Sequence, residues 1–210
     1  MISKERLSAR IAHLHTISDV QAGPGINRLA FTDADWQART YLIQLMEEAG
    51  LTVQTDAFGN VRGHLTGRDE SLPAIMFGSH ADSVPNGGNY DGIVGILSAI
   101  EVVQSIKEDG FKNEHPLEVV LFMCEESSRF SAATLGSRAM RGELGQADLK
   151  RLHDKTGTTL YSVLKARGLA PEQLAAAKYN KPLKAFFEVH IEQGKVLEHT
   201  HTQLGVVTGI

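Results

Sequence analysis

Residues 78–92, GSHADSVPNGGNYDG, hold one His, two Asp and four Gly between two apolar segments. PAIMFGSH leads into this stretch and DGIVGILSAIEVVQSIKEDG leads out of it. The first segment is short and apolar and reads as a strand. The second is long enough for about five helical turns, and its start is apolar on most faces, so that end is expected to be buried. A buried strand feeding a buried helix through a ligand-rich loop is a building unit of a layered α/β fold.

The rest of the chain supports that class. LEVVLFMC is a continuous apolar run rich in β-branched residues, as central strands are. Leu7, Ile11, Leu14 and Ile17 predict an amphipathic helix over 3–18. TDADWQARTYLIQLMEEAG opens on Thr and Asp cap candidates and closes on Gly50, predicting a second helix. LTVQTDAFGNVRGHLTG alternates around a Gly-Asn turn and predicts a hairpin over 51–67. Residues 146–178 carry helical patterns, with Pro171 at a first turn. LKAFFEVHI and LGVVTGI read as two further strands. The expected fold is α/β, a mixed, mostly parallel sheet flanked by helices. The chain closes on an apolar strand pattern without a polar tail, so the sheet is expected to be incomplete at its C-terminal side.

Charge and composition exclude several roles. A net charge of −4 offers nothing to nucleic acid or an anionic membrane. No apolar run reaches the ~18 residues of a spanning helix, and the charged start lacks a signal-peptide core. The single cysteine, Cys124, excludes an internal disulfide, and its apolar surroundings predict a core position. A cytoplasmic protein is expected.

In α/β sheets the working groups collect beyond the carboxyl ends of strands. His80, Asp91, the Glu125–Glu126 pair and His190 all fall at or near such ends. Each has an ordinary role: a structural His, a helix cap for Asp91, a solvated Glu pair. The pair weakens that view. It follows an apolar run directly, and no Lys or Arg lies within two residues, Arg129 being the next cation. Two desolvated carboxylates need a positive partner. Two imidazoles with two or three carboxylates form a nitrogen/oxygen set that Zn²⁺ accepts. A carboxylate such as Asp91 can bridge two ions about 3.5 Å apart. Asp82, two residues beyond His80, returns to the same face of an extended segment and can take the second imidazole N–H; a loop cap is the equal alternative. If strand geometry persists, Glu125 and Glu126 face opposite ways, so that one binds metal while the other accepts a proton. Gly87, Gly88 and Gly92 let the loop turn tightly. The stretch matches neither G-x-x-x-x-G-K-[ST] nor G-x-G-x-x-G, which argues against a phosphate loop.

GSHADSVPNGGNYDG, EESSRFSAATLGSRAMRG, and EVHIEQG followed by GVVTGI resemble the N-carbamoyl-L-amino-acid hydrolases. The allantoate amidohydrolases and β-ureidopropionases of the same dinuclear zinc group are similar, all within the aminoacylase and carboxypeptidase-like metallohydrolases. The resemblance runs from about residue 5 to 210. It implies a zinc-exopeptidase-like catalytic domain holding two divalent ions, Zn or Mn, with Co or Ni as alternatives. His80 and His190 would bind one ion, Glu126 the other, and Asp91 both. Glu125 would be the general base and later the acid, Asp82 would orient His80, and Gln193 would contact substrate. A cis peptide is implied at Asp91–Gly92. The implied substrate is a small N-carbamoyl-L-amino acid, with allantoate or a β-ureido acid as alternatives.

Members of that family run to roughly twice this length. On the resemblance, residues 1–210 correspond to the N-terminal part of the catalytic domain. A lid or dimerisation domain, the C-terminal part of the catalytic domain and one further His ligand would lie elsewhere, the full-length form being a homodimer. Alone, the chain is expected to bind at most one ion well and to turn over poorly. From another class, it would be a catalytically incomplete metal-binding fragment or scaffold. His13, His15, His64, His115, His153, His199 and His201 show no partner pattern. Of Arg129, Arg138 and Arg141, at least two are expected to form surface salt bridges. Ser127 and Ser128 lack a suitably spaced His base.

Overall fold

The computed structural model describes residues 1–209. Helix α1 (Lys4–His15) begins where the Ser3 hydroxyl accepts the Arg6 N–H. Helix α2 (Asp33–Glu48) begins at Thr32, which caps Asp35 in the same way. Strands β1 (Thr52–Thr55) and β2 (Val61–Leu65) form the expected antiparallel hairpin. Its turn is held by Asp56, whose Oδ1 accepts the N–H groups of Phe58, Gly59 and Asn60. Strand β3 (Ala74–His80) leads through the Gly-rich loop to helix α3 (Ile93–Glu108), and strand β4 (Leu117–Phe122) follows. Helices α4 (Leu135–Arg141), α5 (Gln146–Arg151) and α6 (Leu160–Ala166) and a 3-10 turn at Pro171–Ala177 come next. Strand β5 (Leu183–Phe187) and the short helix α7 (Val196–His199) complete the order.

The five strands form one mixed sheet, ordered β1-β2-β4-β3-β5. Strands β4, β3 and β5 run parallel, and the hairpin adds to β4 antiparallel. Val119, Val120 and Leu121 of β4 are fully buried, as expected for a strand covered on both faces. On one side Leu42, Met46, Ile96, Leu97 and Ile100 pack against β4. A second cluster gathers Phe31, Phe58, Phe130, Leu135 and Leu160 beside the end of β4. Each such side chain contributes about 1.5–3 kcal/mol by leaving water. Helix α1 is fastened to α3 by Arg6, whose guanidinium donates to the buried Glu101 and to Glu108.

Register fixes the site. His80 stands opposite Phe122, so β3 and β4 end together. Phe77 pairs with Phe187; continuing that register three residues brings His190 level with His80. Glu125 lies three residues beyond the end of β4.

Three expectations are corrected. Residues 204–209 form no strand: they have no ladder partner, and Leu204, Val206 and Val207 are exposed. Ile210, the last residue of that expected strand, lies outside the described residues. The expected strand LKAFFEVHI stops at Phe187, so His190 falls just after it, in irregular chain. The Asp91–Gly92 bond is trans. Gly92 makes the turn instead, at φ 67°, where a Cβ would come 2.6 Å from the His80 carbonyl and 2.7 Å from its ring. Helix α4, which no pattern predicted, follows a chain reversal at Thr134 with φ 56°.

Candidate metal centre

His80 enters from the end of β3 and is 2% exposed. Its Nδ1 is engaged by the backbone carbonyl of Asp82 at 2.9 Å. In the neutral ring that contact makes Nδ1 the donor and leaves the Nε2 lone pair facing the site. His190 is arranged alike, with Nδ1 at 2.7 Å from the Ile191 carbonyl. The two free Nε2 atoms point at one oxygen, Asp91 Oδ1, at 4.0 Å for His80 and 3.2 Å for His190. Oδ1 is buried and accepts no hydrogen bond. Donor atoms from His80, Asp91 and His190 all lie within 4.8 Å of one another.

Lone pairs aimed at a carboxylate repel unless something positive lies between them. A tetrahedral cation about 2.1 Å from each ligand would space its donors about 3.4 Å apart. The observed separations bracket that value, and the two-nitrogen, one-oxygen set suits a borderline divalent ion. The residues present therefore fit a metal. The ordinary role for Asp91 does not hold. Gly92 is the cap of α3, which makes no side-chain capping bond.

Of the two roles expected of Asp82, its carboxylate does not take the imidazole. Its carboxylate is 3.7 Å from His80 Nδ1, beyond hydrogen-bond reach, while its carbonyl takes the ring. The chain kinks after His80 instead of continuing as a strand, which turns the carboxylate toward β4. There Oδ1 accepts the Glu125 N–H at 3.2 Å and Oδ2 the Glu126 N–H at 3.0 Å. Asp82 thus pins both loops of the site.

Nor does strand geometry persist through the Glu pair. The chain turns at Cys124, φ 55°, which is fully buried as expected. Glu125 is carried inward, with Oε2 3.8 Å from His80 Nε2. Glu126 stays outside the three-residue donor set. Burial pushes the Glu125 carboxyl above its usual range, against the pull of His80, with Asp82 and Glu188 adding to the rise. Burial raises Glu126 as well. Burial disfavours the charged form of His80, but Asp82 and Glu125 outweigh it and raise its pKa. Gln193, expected at substrate, donates from Nε2 to Asp91 Oδ2 at 2.9 Å.

Several supporting residues escaped sequence reasoning. Arg28, 2% exposed, donates to the carbonyls of Ala81, Leu14 and Ile17. Arg39 is buried and donates to the carbonyls of Phe122 and Gly59, bracing the end of β4. The buried Ser79 hydroxyl donates to Glu188 at 2.5 Å, joining β3 to the segment that carries His190. A lone Arg in a polar stretch carries no such signal. Ser79 and Glu188 did lie inside singled-out motifs, each beside a candidate ligand. Arg129 does not serve the Glu pair; it donates to the Ala30 carbonyl and to Asp154. Arg141 pairs with Glu143 at the surface.

An open cavity of about 820 Å³ adjoins the cluster, lined by His80, Glu125, Glu188 and His190 with Phe122 and Phe186 among its apolar walls. That volume suits a small molecule.

Residues 76–207 match peptidase family M20/M25/M40. The chain is 42% identical over 207 residues to the N-carbamoyl-L-amino-acid amidohydrolase of Paenarthrobacter aurescens, covering 98% of this chain and 50% of that protein. It is 40% identical over 210 residues to the ureidoglycolate hydrolase of Arabidopsis thaliana, covering 97% and 44%. The crystal structure of a hydantoinase/carbamoylase family amidase from Burkholderia ambifaria superposes with a TM-score of 0.86 at 37% identity, over 95% of this chain and 48% of that one. The chain spans about half the length of the curated relatives it matches.

Proposed function

The chain belongs to peptidase family M20/M25/M40, and from that premise we propose that it carries the metal-binding half of an amidohydrolase site that cleaves a linear C–N bond of an N-carbamoyl-L-amino acid. One observation supports the reading above others: two imidazole nitrogens and an otherwise unpartnered carboxylate oxygen converge beside Glu125. The named relatives act on N-carbamoyl amino acids and on ureidoglycolate, so an allantoate- or β-ureido-type substrate is the alternative within the same chemistry.

In this reading His80, Asp91 and His190 hold one divalent cation, and Asp91 with Glu126 offers a place for a second. Such ions supply Lewis acidity toward a carbonyl and toward water. Glu125 accepts a proton from the attacking water and returns it to the leaving nitrogen. A carboxyl raised by burial is better matched to that exchange near neutral pH. Asp82 holds the backbone of Glu125 and Glu126, fixing where both carboxylates start. Arg28 holds Ala81, the residue between His80 and Asp82. A cytoplasmic location and a homodimeric full-length form complete the proposal, with residues 1–210 as the N-terminal part of the catalytic domain.

A second reading is a metal-binding unit without turnover of its own. It is favoured by the fact that three donors converge while Glu126 stays outside their set. The two readings separate in one assay. Ammonia release from N-carbamoyl amino acids, allantoate and ureidoglycolate is measured with added Mn²⁺ or Zn²⁺, for the chain and for Glu125→Gln. The enzyme reading expects slow but detectable turnover by the chain, falling about 10²–10⁴-fold in Glu125→Gln with cation uptake unchanged. Cation uptake without turnover in the parent chain would leave the second reading.

A further inference from the structure

Asp91 has two oxygens in unlike states. Oδ1 is buried, accepts nothing and faces both free Nε2 atoms. Oδ2 accepts the Gln193 carboxamide at 2.9 Å. Gln193 is held for this contact. Its backbone is in the left-handed region at φ 53°, which a non-glycine residue adopts when its surroundings hold it there. The surroundings are visible on both sides. Ile191 is tied through its carbonyl to His190 Nδ1, and the Glu192 carboxylate accepts the N–H groups of Val196 and Leu197.

We propose that Gln193 is a positioning residue for Asp91 that sets the order of cation entry: it donates to Oδ2, so one divalent cation binds first at Oδ1 with His80 and His190, and a second cation sharing Asp91 must bind against it. The inference rests on the metal-site reading given above. An amide N–H and a divalent cation present the same sign of charge to Oδ2 and draw on the same carboxylate, so each opposes the other there. The amide also stops the carboxylate from rotating, which keeps Oδ1 on the two imidazoles. Such outer contacts change metal affinity by about 10–100-fold when removed. Gln193 therefore strengthens the first binding step and weakens the second.

The test is calorimetric and spectroscopic titration of the full chain with Co²⁺, for the parent and for Gln193→Leu. Gln193 is exposed, and equal melting curves before metal is added establish that both fold alike. The parent is expected to bind one equivalent at least about 10²-fold more tightly than a second. In Gln193→Leu the first step weakens about 10-fold and the second tightens about 10-fold, so the steps draw together. A residue with a merely structural role would move both steps in one direction, and that outcome overturns the proposal. So does an unchanged titration in Gln193→Leu, or two equally tight equivalents in the parent; each leaves the metal-site reading standing. No uptake of Co²⁺ by the parent overturns the metal site itself.

Discussion

Nε2 of His190 lies 3.2 Å from Oδ1 of Asp91, a buried oxygen that accepts no hydrogen bond. Two acceptors so close are stabilised by a shared positive charge. Asp91→Asn removes the negative partner. Without metal the variant should be as stable as the parent or more so. With a cation at about 100 times its dissociation constant the parent should gain about 2.7 kcal/mol, and Asp91→Asn less than about 1 kcal/mol at the same concentration. Thermal melts with and without Zn²⁺ measure both.

Asp82 accepts the N–H groups of Glu125 and Glu126 from a buried position. Asp82→Ala leaves both donors without their partner. Each lost bond to a charged group is worth about 1.5–3 kcal/mol, and relief of repulsion among the nearby acids offsets part of this. A net loss of about 2 kcal/mol or more is expected, read from the urea midpoint. No change in that midpoint would show that Asp82 does not brace the loop.

Gly92 and Gly110 offer a matched pair. Both have positive φ, 67° and 68°, but Gly92 also has ψ −42°, outside the left-handed helical well, and a Cβ on Gly110 meets nothing within 4 Å while one on Gly92 strikes His80. Gly110→Ala should cost about 1–2 kcal/mol from the backbone alone. Gly92→Ala should cost more and should also weaken cation binding, because His80 must move. Equal losses in the two variants would mean that the fit of Gly92 against His80 is unimportant.

Asp35 is fully buried beside Arg39 and Asp82, and burial pushes its carboxyl up to about 6. Its folded pKa thus lies above its unfolded value of 3.8. The stability it contributes is fully present below 3.8 and is lost as pH rises through about 6. Asp35→Asn has no such titration. Its stability relative to the parent should improve between pH 4 and 7, by at most about 3 kcal/mol. Urea denaturation at several pH values tests the sign.

Elements whose own pattern decided their structure were legible in advance: the hairpin, α1–α3, β3 and β4. His80 and Asp91 could be located because β3 and α3 are strongly patterned and the loop between them is short. Features that no local pattern announces depend on partners distant in sequence. Arg28 gains its meaning from the carbonyls of Leu14, Ile17 and Ala81. Helix α4 depends on a reversal at Thr134 that no local composition announces. The expected strand at 204–210 has suitable residues, but a strand exists through pairing, and its described part, 204–209, pairs with no described strand. Period-two reasoning places the Asp82 carboxylate on the His80 ring; it fails once the strand ends, so the carbonyl takes the ring and the carboxylate takes the Glu125 and Glu126 N–H groups.

The three carbonyls gathered by Arg28 belong to the end of α1, the turn after it, and Ala81. The first helix of the protein is therefore mechanically connected to the residue between His80 and Asp82. Amide-proton exchange around Ala81 becomes a gauge of how firmly the amino-terminal helix is seated. A bulky fusion that pries that helix loose would be felt at His80, although it touches no ligand.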